Sequence, residues 1–296
     1  MLGGDYRVRI QQHWDALPAD AMIALHARRS AEDVAAWRAQ YPARPGAPPL
    51  VLVLTGTDLY RDIATDALAK KSLQLADRLV VLNEQGPLEL TAALRRKCTV
   101  CLQSTPGRKT LHKTGRHLRA LMVGHLRDEK RPQTYFAAAE LLATRGDIVL
   151  DHIGSPLDAA LGAQAQALQS RQATYRWFGG LDHARTRRRI QQAHVLVHPS
   201  IMEGGAHVVI EAITSGTPVL ASSIAGNVGL LGDDYAGYFE LDDAAGLATL
   251  LQQCRDDGAM LARLAAQCAQ RAHLFHPERE RQTLRQILSE LLEPTA

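Results

Sequence analysis

The sequence predicts an α/β protein built from two domains. Short apolar runs of four to seven residues alternate with segments of helical periodicity along almost the whole chain, a pattern typical of parallel sheets covered by helices. The chain has 296 residues, of which 46% are hydrophobic and 22% charged, so it can form two cores of ordinary size. The alternation lapses between Gly107 and Gly115, where proline, glycine and basic residues predict a linker.

We expect the first domain to span residues 1–112. Its predicted strands are residues 7–10, 21–26, 50–54, 78–82 and 99–103. Its predicted helices are residues 31–39, 62–75 and 88–96. A doubly wound domain ordinarily starts with a strand, a glycine-rich turn and a helix. That unit is missing ahead of residues 7–10, so we expect the chain to begin inside its first domain.

The second domain is predicted at residues 113–275. Its predicted strands are residues 118–123, 148–153, 175–178, 195–198, 219–221 and 237–240. Helices are predicted between them at residues 133–143, 158–170, 184–193 and 207–214. Six strands in this alternation predict a complete doubly wound sheet of order 3-2-1-4-5-6. The later segments 244–255, 259–275 and 278–292 are helical only, and we expect residues 276–296 to return to the first domain.

Composition limits the classes of partner and cofactor. The net charge is only +3, from 34 basic and 31 acidic residues, which argues against a nucleic-acid or anionic-membrane partner. We find no apolar run of the roughly 20 residues that a membrane span needs, nor a signal peptide, so a cytoplasmic protein is expected. Of four cysteines only Cys98 and Cys101 have metal-like spacing, and they read as part of a strand. The pairs at residues 233–234 and 242–243 read as turns and helix caps. We therefore predict neither a metal nor a cofactor.

Two loops carry the polar chemistry of the second domain. Residues 124–131 form a short basic loop after its first strand, and residues 199–206 follow its fourth strand, which is the neighbour of the first in this topology. Gly204 and Gly205 precede a helix, so backbone N–H groups there can approach an anion. The alternative is that the glycines serve only a tight, closely packed turn. Glu203 and Glu211 can accept hydrogen bonds from sugar hydroxyls, and Lys130 can supply charge to a diphosphate.

The stretch 197–219 resembles the signature of family 4 glycosyltransferases with the GT-B fold. Its E-x7-E pattern falls on Glu203 and Glu211, and residues 123–130 resemble the G-R-L-x-x-x-K-G element of that family. The resemblance implies two Rossmann-like domains that face each other across a cleft. It also implies that Glu211 holds the ribose of the donor nucleotide, that Glu203 lies by the donor sugar, and that Lys130 neutralises the diphosphate.

The sequence departs from the family pattern at two places. His125 occupies the position of the family's arginine, so leaving-group stabilisation is expected from Lys130, Arg127 and backbone amides. The family's Gly-Phe-Gly is altered to Gly204, Gly205 and Ala206. We expect the donor to contact these residues together with His125 and His207, and we predict that the basic run at residues 185–189 is the exposed face of a helix.

A narrower resemblance comes from residues 25–30, 54–63 and 226–232, which look like the selenosugar synthases of selenoneine biosynthesis. It implies transfer of a sugar from UDP-N-acetylglucosamine or UDP-glucose to selenophosphate. Two loops of the first domain follow neighbouring strands and suit a small anionic acceptor. The predicted acceptor-binding residues are His26, Arg28, Arg29, Thr55, Gly56, Thr57 and Asp58. The alternatives are that Arg28 and Arg29 are solvated charges and that Asp58 caps a helix.

Three other functions stay open. The first is a family 4 glycosyltransferase with a hydroxyl acceptor, and the second is a sugar-nucleotide epimerase of similar architecture. The third is a UDP-sugar-binding regulator without catalysis, which the shortened first domain and His125 make conceivable. The preferred sugar, the stereochemical outcome and the oligomeric state do not follow from the sequence.

Overall fold

The computed structural model describes residues 2–292 and divides into two compact units. The first unit comprises residues 2–104, 203–205 and 274–292, and the second comprises residues 105–202 and 206–273. Each unit contains its own parallel sheet. Met1 and residues 293–296, which belong to the ranges predicted for the first domain and the C-terminal helix, lie outside the described residues.

The first unit has a four-stranded parallel sheet of order β1-β2-β3-β4. Its strands are β1 (Met22–Leu25), β2 (Leu50–Leu54), β3 (Arg78–Val81) and β4 (Cys98–Val100). Its helices before the second unit are α1 (Ala31–Gln40), α2 (Ile63–Thr65), α3 (Ala67–Leu75) and α4 (Ala92–Arg95). Strand β2 is buried at every residue, as expected for an apolar run covered on both faces of its sheet.

Three elements of the first unit differ from their sequence prediction. No strand forms at residues 7–10, where Ile10 is 95% exposed and therefore has no apolar surface to join. The helix predicted at residues 62–75 is interrupted at Asp66, whose extended backbone lets its carboxylate accept from Ala69 N and cap α3. The helix predicted at residues 88–96 is shorter, because Thr91 caps α4 instead.

The second unit has a six-stranded parallel sheet. Its strands are β5 (Leu118–Val123), β6 (Ile148–Ile153), β7 (Tyr175–Trp177), β8 (Val195–His198), β9 (Val219–Ser222) and β10 (Tyr238–Phe239). They lie in the order β10-β9-β8-β5-β6-β7. This is the doubly wound order predicted from the sequence, and the neighbouring strands β5 and β8 mark its switch point.

Seven helices of the second unit connect or cover these strands. They are α5 (Pro132–Leu141), α6 (Ala159–Arg171), α7 (His183–Gln192), α8 (His207–Ile213), α9 (Ala225–Leu231), α10 (Ala244–Asp256) and α11 (Gly258–Ala272). Helix α9 was not predicted, because Gly226 and Gly229 give its seven residues the composition of a turn. No helix in residues 2–292 is both long and apolar enough to cross a membrane.

The division between the units falls between Ser104 and Thr105, ahead of the linker predicted at residues 107–115. Residues 105–110 are held in the second unit by side-chain hydrogen bonds: Gln191 Nε2 donates to Lys109 O (2.6 Å) and Thr110 Oγ1 to Ser215 O (2.9 Å). The last helix, α12 (Pro277–Leu292), belongs to the first unit. Its Ile287 packs in the apolar cluster on β2 and β3.

Candidate functional site

The loops after β5 and β8 meet at the switch point of the second sheet. Ile201 N donates a hydrogen bond to Glu129 O (3.0 Å), which joins the two loops directly. Beneath them the ends of β5 and β6 approach so closely that a Cβ on Gly154 would overlap the Gly124 carbonyl oxygen. A side chain is therefore excluded at residue 154, and the start of the loop after β5 packs directly against the backbone of Gly154.

The basic loop holds three of the predicted site residues. Lys130 is half-buried and lies along Gly124, with its Cδ 3.5 Å from where a Cβ of that glycine would be. Arg127 is exposed, with Nε 3.9 Å from Glu129 Oε2. His125 is also exposed, and its Nδ1 accepts from Ser155 N (3.1 Å). The histidine that replaces the family's arginine is thus anchored to the loop after β6.

Glu211 is the centre of a charged cluster on α8. Its side chain is buried, with the residue only 4% exposed. Three basic groups gather at Oε1: His183 Nε2 at 2.6 Å, Arg187 Nη1 at 3.4 Å and His207 Nδ1 at 3.5 Å. His207 lies one turn before Glu211 on α8, as the spacing predicted, whereas His183 and Arg187 come from α7.

Competing effects set the pKa of Glu211. Burial by itself raises the pKa of this carboxyl, since it disfavours the charged form. The hydrogen bonds from His207 and His183 and the charge of Arg187 lower it, and their sum prevails, so the pKa of Glu211 is below its ordinary value. Glu211 is therefore a carboxylate at neutral pH, despite its burial.

The prediction that residues 185–189 form an exposed helix face is wrong for Arg187, which is only 1% exposed. Its guanidinium donates to Thr105 Oγ1 (3.1 Å) and to Pro106 O (3.0 Å) in addition to its contact with Glu211. Burial lowers the pKa of Arg187 and the charge of Glu211 opposes that shift. Arg187 faces inward because α7 turns this position toward α8, while Arg185 and Arg188 face solvent.

Glu203, Gly204 and Gly205 belong to the first unit by their contacts. Asn83 Nδ2 donates to Gly204 O (2.7 Å), and a Cβ on Gly204 would overlap the Thr55 carbonyl oxygen. A Cβ on Gly205 would lie 2.6 Å from Gln103 Oε1. Packing against backbone thus requires a glycine at position 204, whereas the nearest atom at position 205 is the end of the flexible Gln103 side chain. A role for both glycines in anion binding stays a prediction. Ala206 belongs to the second unit and directly precedes α8.

The two loops predicted to hold an acceptor meet within the first unit. His26 Nε2 lies 3.0 Å from Thr57 Oγ1. Asp58 is fully buried and joins the loops, because its two carboxylate oxygens accept from Ala27 N and Thr55 N, each at 2.8 Å. Asp58 therefore holds the two loops together, and its carboxylate does not cap the helical turn at Asp58–Asp62. Gly56 directly follows Thr55, where a Cβ would lie 3.0 Å from Gly204 N.

The two predicted acceptor-binding arginines are exposed. Arg28 Nε lies 3.2 Å from Asp66 Oδ2, so its charge is partly neutralised. The backbone N–H groups of Arg28 and Arg29 both donate to His26 Nδ1 (3.3 Å). His26 allows this by adopting a left-handed backbone conformation with φ of 73°. The loop after β1 is thus built around His26, while the guanidinium of Arg29 faces solvent.

The cysteine pair is buried or half-buried, and Asp243 of one acidic pair caps a helix. Burial raises the pKa of Cys98 to about 11 and that of Cys101 to about 12, so both are thiols. Asp243 Oδ1 caps α10 by accepting from Gly246 N (2.8 Å). Within residues 2–292, no group of three or more His, Cys, Asp or Glu side chains could hold a metal ion.

Sequence reasoning missed the contribution of α7 to this cluster. His183 and Arg187 are spaced i and i+4, so they share one side of the helix, and the buried Ile190 lies near the same side. That periodicity was the available signal, but the run of basic residues obscured it. Glu211, their partner, lies 28 positions beyond His183, a distance over which the sequence gives no pairing information.

Comparison with known proteins assigns the family. The model for "Glycosyl transferases group 1" matches residues 107–272, more than half of the chain, and the chain belongs to this family. The D-inositol 3-phosphate glycosyltransferase of Streptomyces avermitilis is 31% identical over 170 residues, which cover 52% of this chain and 36% of that protein. The chain thus spans only about a third of that relative's length.

Solved structures support the fold. Sucrose-phosphate synthase from Thermosynechococcus elongatus matches with a TM-score of 0.75 and 20% identity, over 93% of this chain and 74% of its own. Anabaena Alr3699/HepE, solved in complex with UDP-glucose, matches with a TM-score of 0.74 and 16% identity, over 92% of this chain and 79% of its own. The predicted GT-B class is confirmed as an α/β chain with two parallel-sheet domains.

Proposed function

We propose that this chain is a glycosyltransferase that takes its sugar from a UDP-sugar donor. The observation that carries the proposal is the ionised, buried carboxylate of Glu211 beside the switch point of the second sheet. A carboxylate in that state accepts hydrogen bonds from two neighbouring hydroxyls, as a ribose presents them. Membership of the group 1 family and the likeness to a structure that holds UDP-glucose support this choice of donor.

Lys130 is the group proposed to act on the diphosphate. The acceptor attacks the anomeric carbon, the bond between that carbon and the phosphate oxygen breaks, and UDP leaves with the electron pair. Negative charge on the diphosphate grows as the bond breaks, so a positioned cation stabilises the transition state more than the bound donor. Arg127 and the backbone amides around Ala206 are proposed to assist, and Glu203 to contact the donor sugar.

The proposed acceptor is selenophosphate, and the proposed donor sugar is N-acetylglucosamine. The resemblance of residues 25–30, 54–63 and 226–232 to selenosugar synthases motivates both choices. In support, His26, Thr55 and Thr57 gather polar atoms at the ends of β1 and β2, where Arg29 adds an exposed positive charge. Selenophosphate is already an anionic nucleophile, so it needs no general base.

A hydroxyl acceptor is the second candidate. One observation favours it: the relative that is 31% identical carries a name that gives D-inositol 3-phosphate as its substrate. We rank selenophosphate first because the selenosugar-like residues 25–30 and 54–63 belong to the first unit and lie outside residues 107–272, which the family model matches.

The test is an acceptor panel with the full chain. UDP-N-acetylglucosamine, UDP-glucose and UDP-galactose are incubated anaerobically with selenophosphate, thiophosphate, phosphate or D-inositol 3-phosphate, and products are identified by mass spectrometry. We expect UDP release and a selenosugar mass only with selenophosphate, and best with UDP-N-acetylglucosamine. UDP release that does not depend on selenophosphate would refute selenophosphate as the acceptor but would leave the proposed glycosyltransferase activity standing.

Two further results would refute the transferase itself. Interconversion of one UDP-sugar into another without an acceptor indicates an epimerase. Calorimetric binding of UDP with turnover of no donor indicates a regulator. Glu211→Gln serves as the matched variant, because it keeps the shape of the side chain while removing the charge proposed to hold the ribose.

A further inference from the structure

A groove lined by arginines lies on the second unit, on the solvent side of α7. It has a volume of about 450 Å³, within the range of about 300–1,000 Å³ that small-molecule sites occupy. Its lining residues are Arg108, Leu111, Ala184, Arg185, Arg188 and Gln191. Three guanidinium groups and one amide thus surround the groove, and no carboxylate is among the lining side chains.

Two of the three arginines lack a counter-charge. Arg185 Nε lies 3.2 Å from Asp182 Oδ2. Among residues 2–292, by contrast, neither the Arg108 nor the Arg188 side chain has a carboxylate at ion-pair distance or a hydrogen-bond acceptor. Arg185 and Arg188 are also spaced i and i+3 on α7, so like charges face one another there. An anion in the groove would relieve that repulsion.

The walls of the groove are held in place. On the side of α7, the amide of Gln191 is hydrogen-bonded to Lys109 O at 2.6 Å. On the other side, Arg108 N donates to Thr214 O (3.0 Å), which fixes the backbone that carries this arginine. The guanidinium groups therefore project from two anchored segments, and less chain entropy is lost when an anion orders them.

We propose that this groove binds a small phosphorylated metabolite with one or two phosphate groups. Guanidinium is planar and offers paired N–H donors that match phosphate oxygens, so arginines from two directions suit a tetrahedral anion. Leu111 and Ala184 give the remainder of the ligand an apolar contact. The groove is distinct from the Glu211 cluster, which lies against the inward side of α7, and the proposal does not depend on glycosyl transfer.

The experiment is calorimetric titration of the full chain with inorganic phosphate and inorganic pyrophosphate at low ionic strength, each in the presence of saturating UDP. Arg108→Gln and Arg188→Gln are compared with wild type. Each variant removes a charge-assisted hydrogen bond, so we expect the Kd for pyrophosphate to rise at least about tenfold. The Kd for UDP should stay unchanged.

Two controls separate the groove from other sources of binding. Arg263→Gln removes an equally exposed arginine of the second unit on α11, and Lys130→Ala removes the cation proposed for the donor site. Both should bind pyrophosphate like wild type. If Arg263→Gln weakened pyrophosphate binding equally, the effect would come from net charge alone. If only Lys130→Ala lost pyrophosphate binding, the binding site would be the donor site. Either result, or wild-type binding by Arg108→Gln and Arg188→Gln, overturns the proposal.

Discussion

Replacing Arg187 with methionine should destabilise the second unit strongly and weaken nucleotide binding with it. Arg187 is 1% exposed and Glu211 is 4% exposed, so the substitution leaves a buried carboxylate without its guanidinium partner. Removing one member of a buried ion pair costs about 3–5 kcal/mol, because the remaining charge stays desolvated. The hydrogen bonds from Arg187 to Thr105 and Pro106 are lost at the same time.

The assay is urea unfolding followed by tryptophan fluorescence, with Arg188→Met as the matched control. Arg188 is the next residue on the same helix and is exposed, so its replacement should change the free energy of unfolding by less than about 0.5 kcal/mol. Arg187→Lys should recover part of the loss, since it keeps a charge but not the guanidinium geometry. If Arg187→Met and Arg188→Met unfold at the same urea concentration, the Arg187–Glu211 pair has no structural role.

Lys130→Ala should lower kcat for UDP release roughly tenfold or more, because it removes a charge-assisted hydrogen bond from the transition state, while Arg263→Ala should leave kcat unchanged. Burial lowers the pKa of His152 to about 4, against about 6.5 in the unfolded chain, so the unfolded state binds more protons between these values. The free energy of unfolding should therefore fall by about 3 kcal/mol as pH drops from 6.5 to 4, and His152→Gln should flatten the profile measured by urea unfolding at each pH. Gly204→Ala should cost about 1–3 kcal/mol, since its Cβ would overlap a backbone carbonyl, whereas Gly146→Ala meets only open space; equal urea midpoints would contradict the packing role of Gly204.

The second sheet could be predicted almost completely from the sequence. Its central strands are buried on both faces, so each is a nearly continuous apolar run, and the predicted bounds of β5, β6 and β8 match the structure. The strand order followed from strict alternation with helices. Short elements escaped the same reasoning: α9 is rich in glycine, and the exposed residues 7–10 looked like a strand because alternation by itself does not establish burial.

The site was predictable only where its residues lie close together in the chain. Glu211 and His207 follow from helical spacing within α8, and the meeting of the loops after β5 and β8 follows from the topology. Arg187 does not, because a basic residue in a basic run gives no sign of burial until its partner is known. Gly204 and Gly205 contact residues of the first unit that are distant in the sequence. The local sequence shows only that these two positions lack side chains, so it could not predict those contacts.

Neighbouring arginines on α7 have opposite environments, and that contrast separates two properties of the second unit. Adjacent residues on an α-helix point about 100° apart, so Arg187 faces Glu211 while Arg188 lines the groove. The charge of Arg187 is balanced inside the protein, and its loss must therefore act on stability and on Glu211. The charge of Arg188 is balanced by no described residue, so we expect its loss to act on the proposed anion binding and to leave the fold intact. Substitutions at the two positions should consequently give non-overlapping effects, and a variant at Arg188 that unfolds the second unit would contradict the division of roles along this helix.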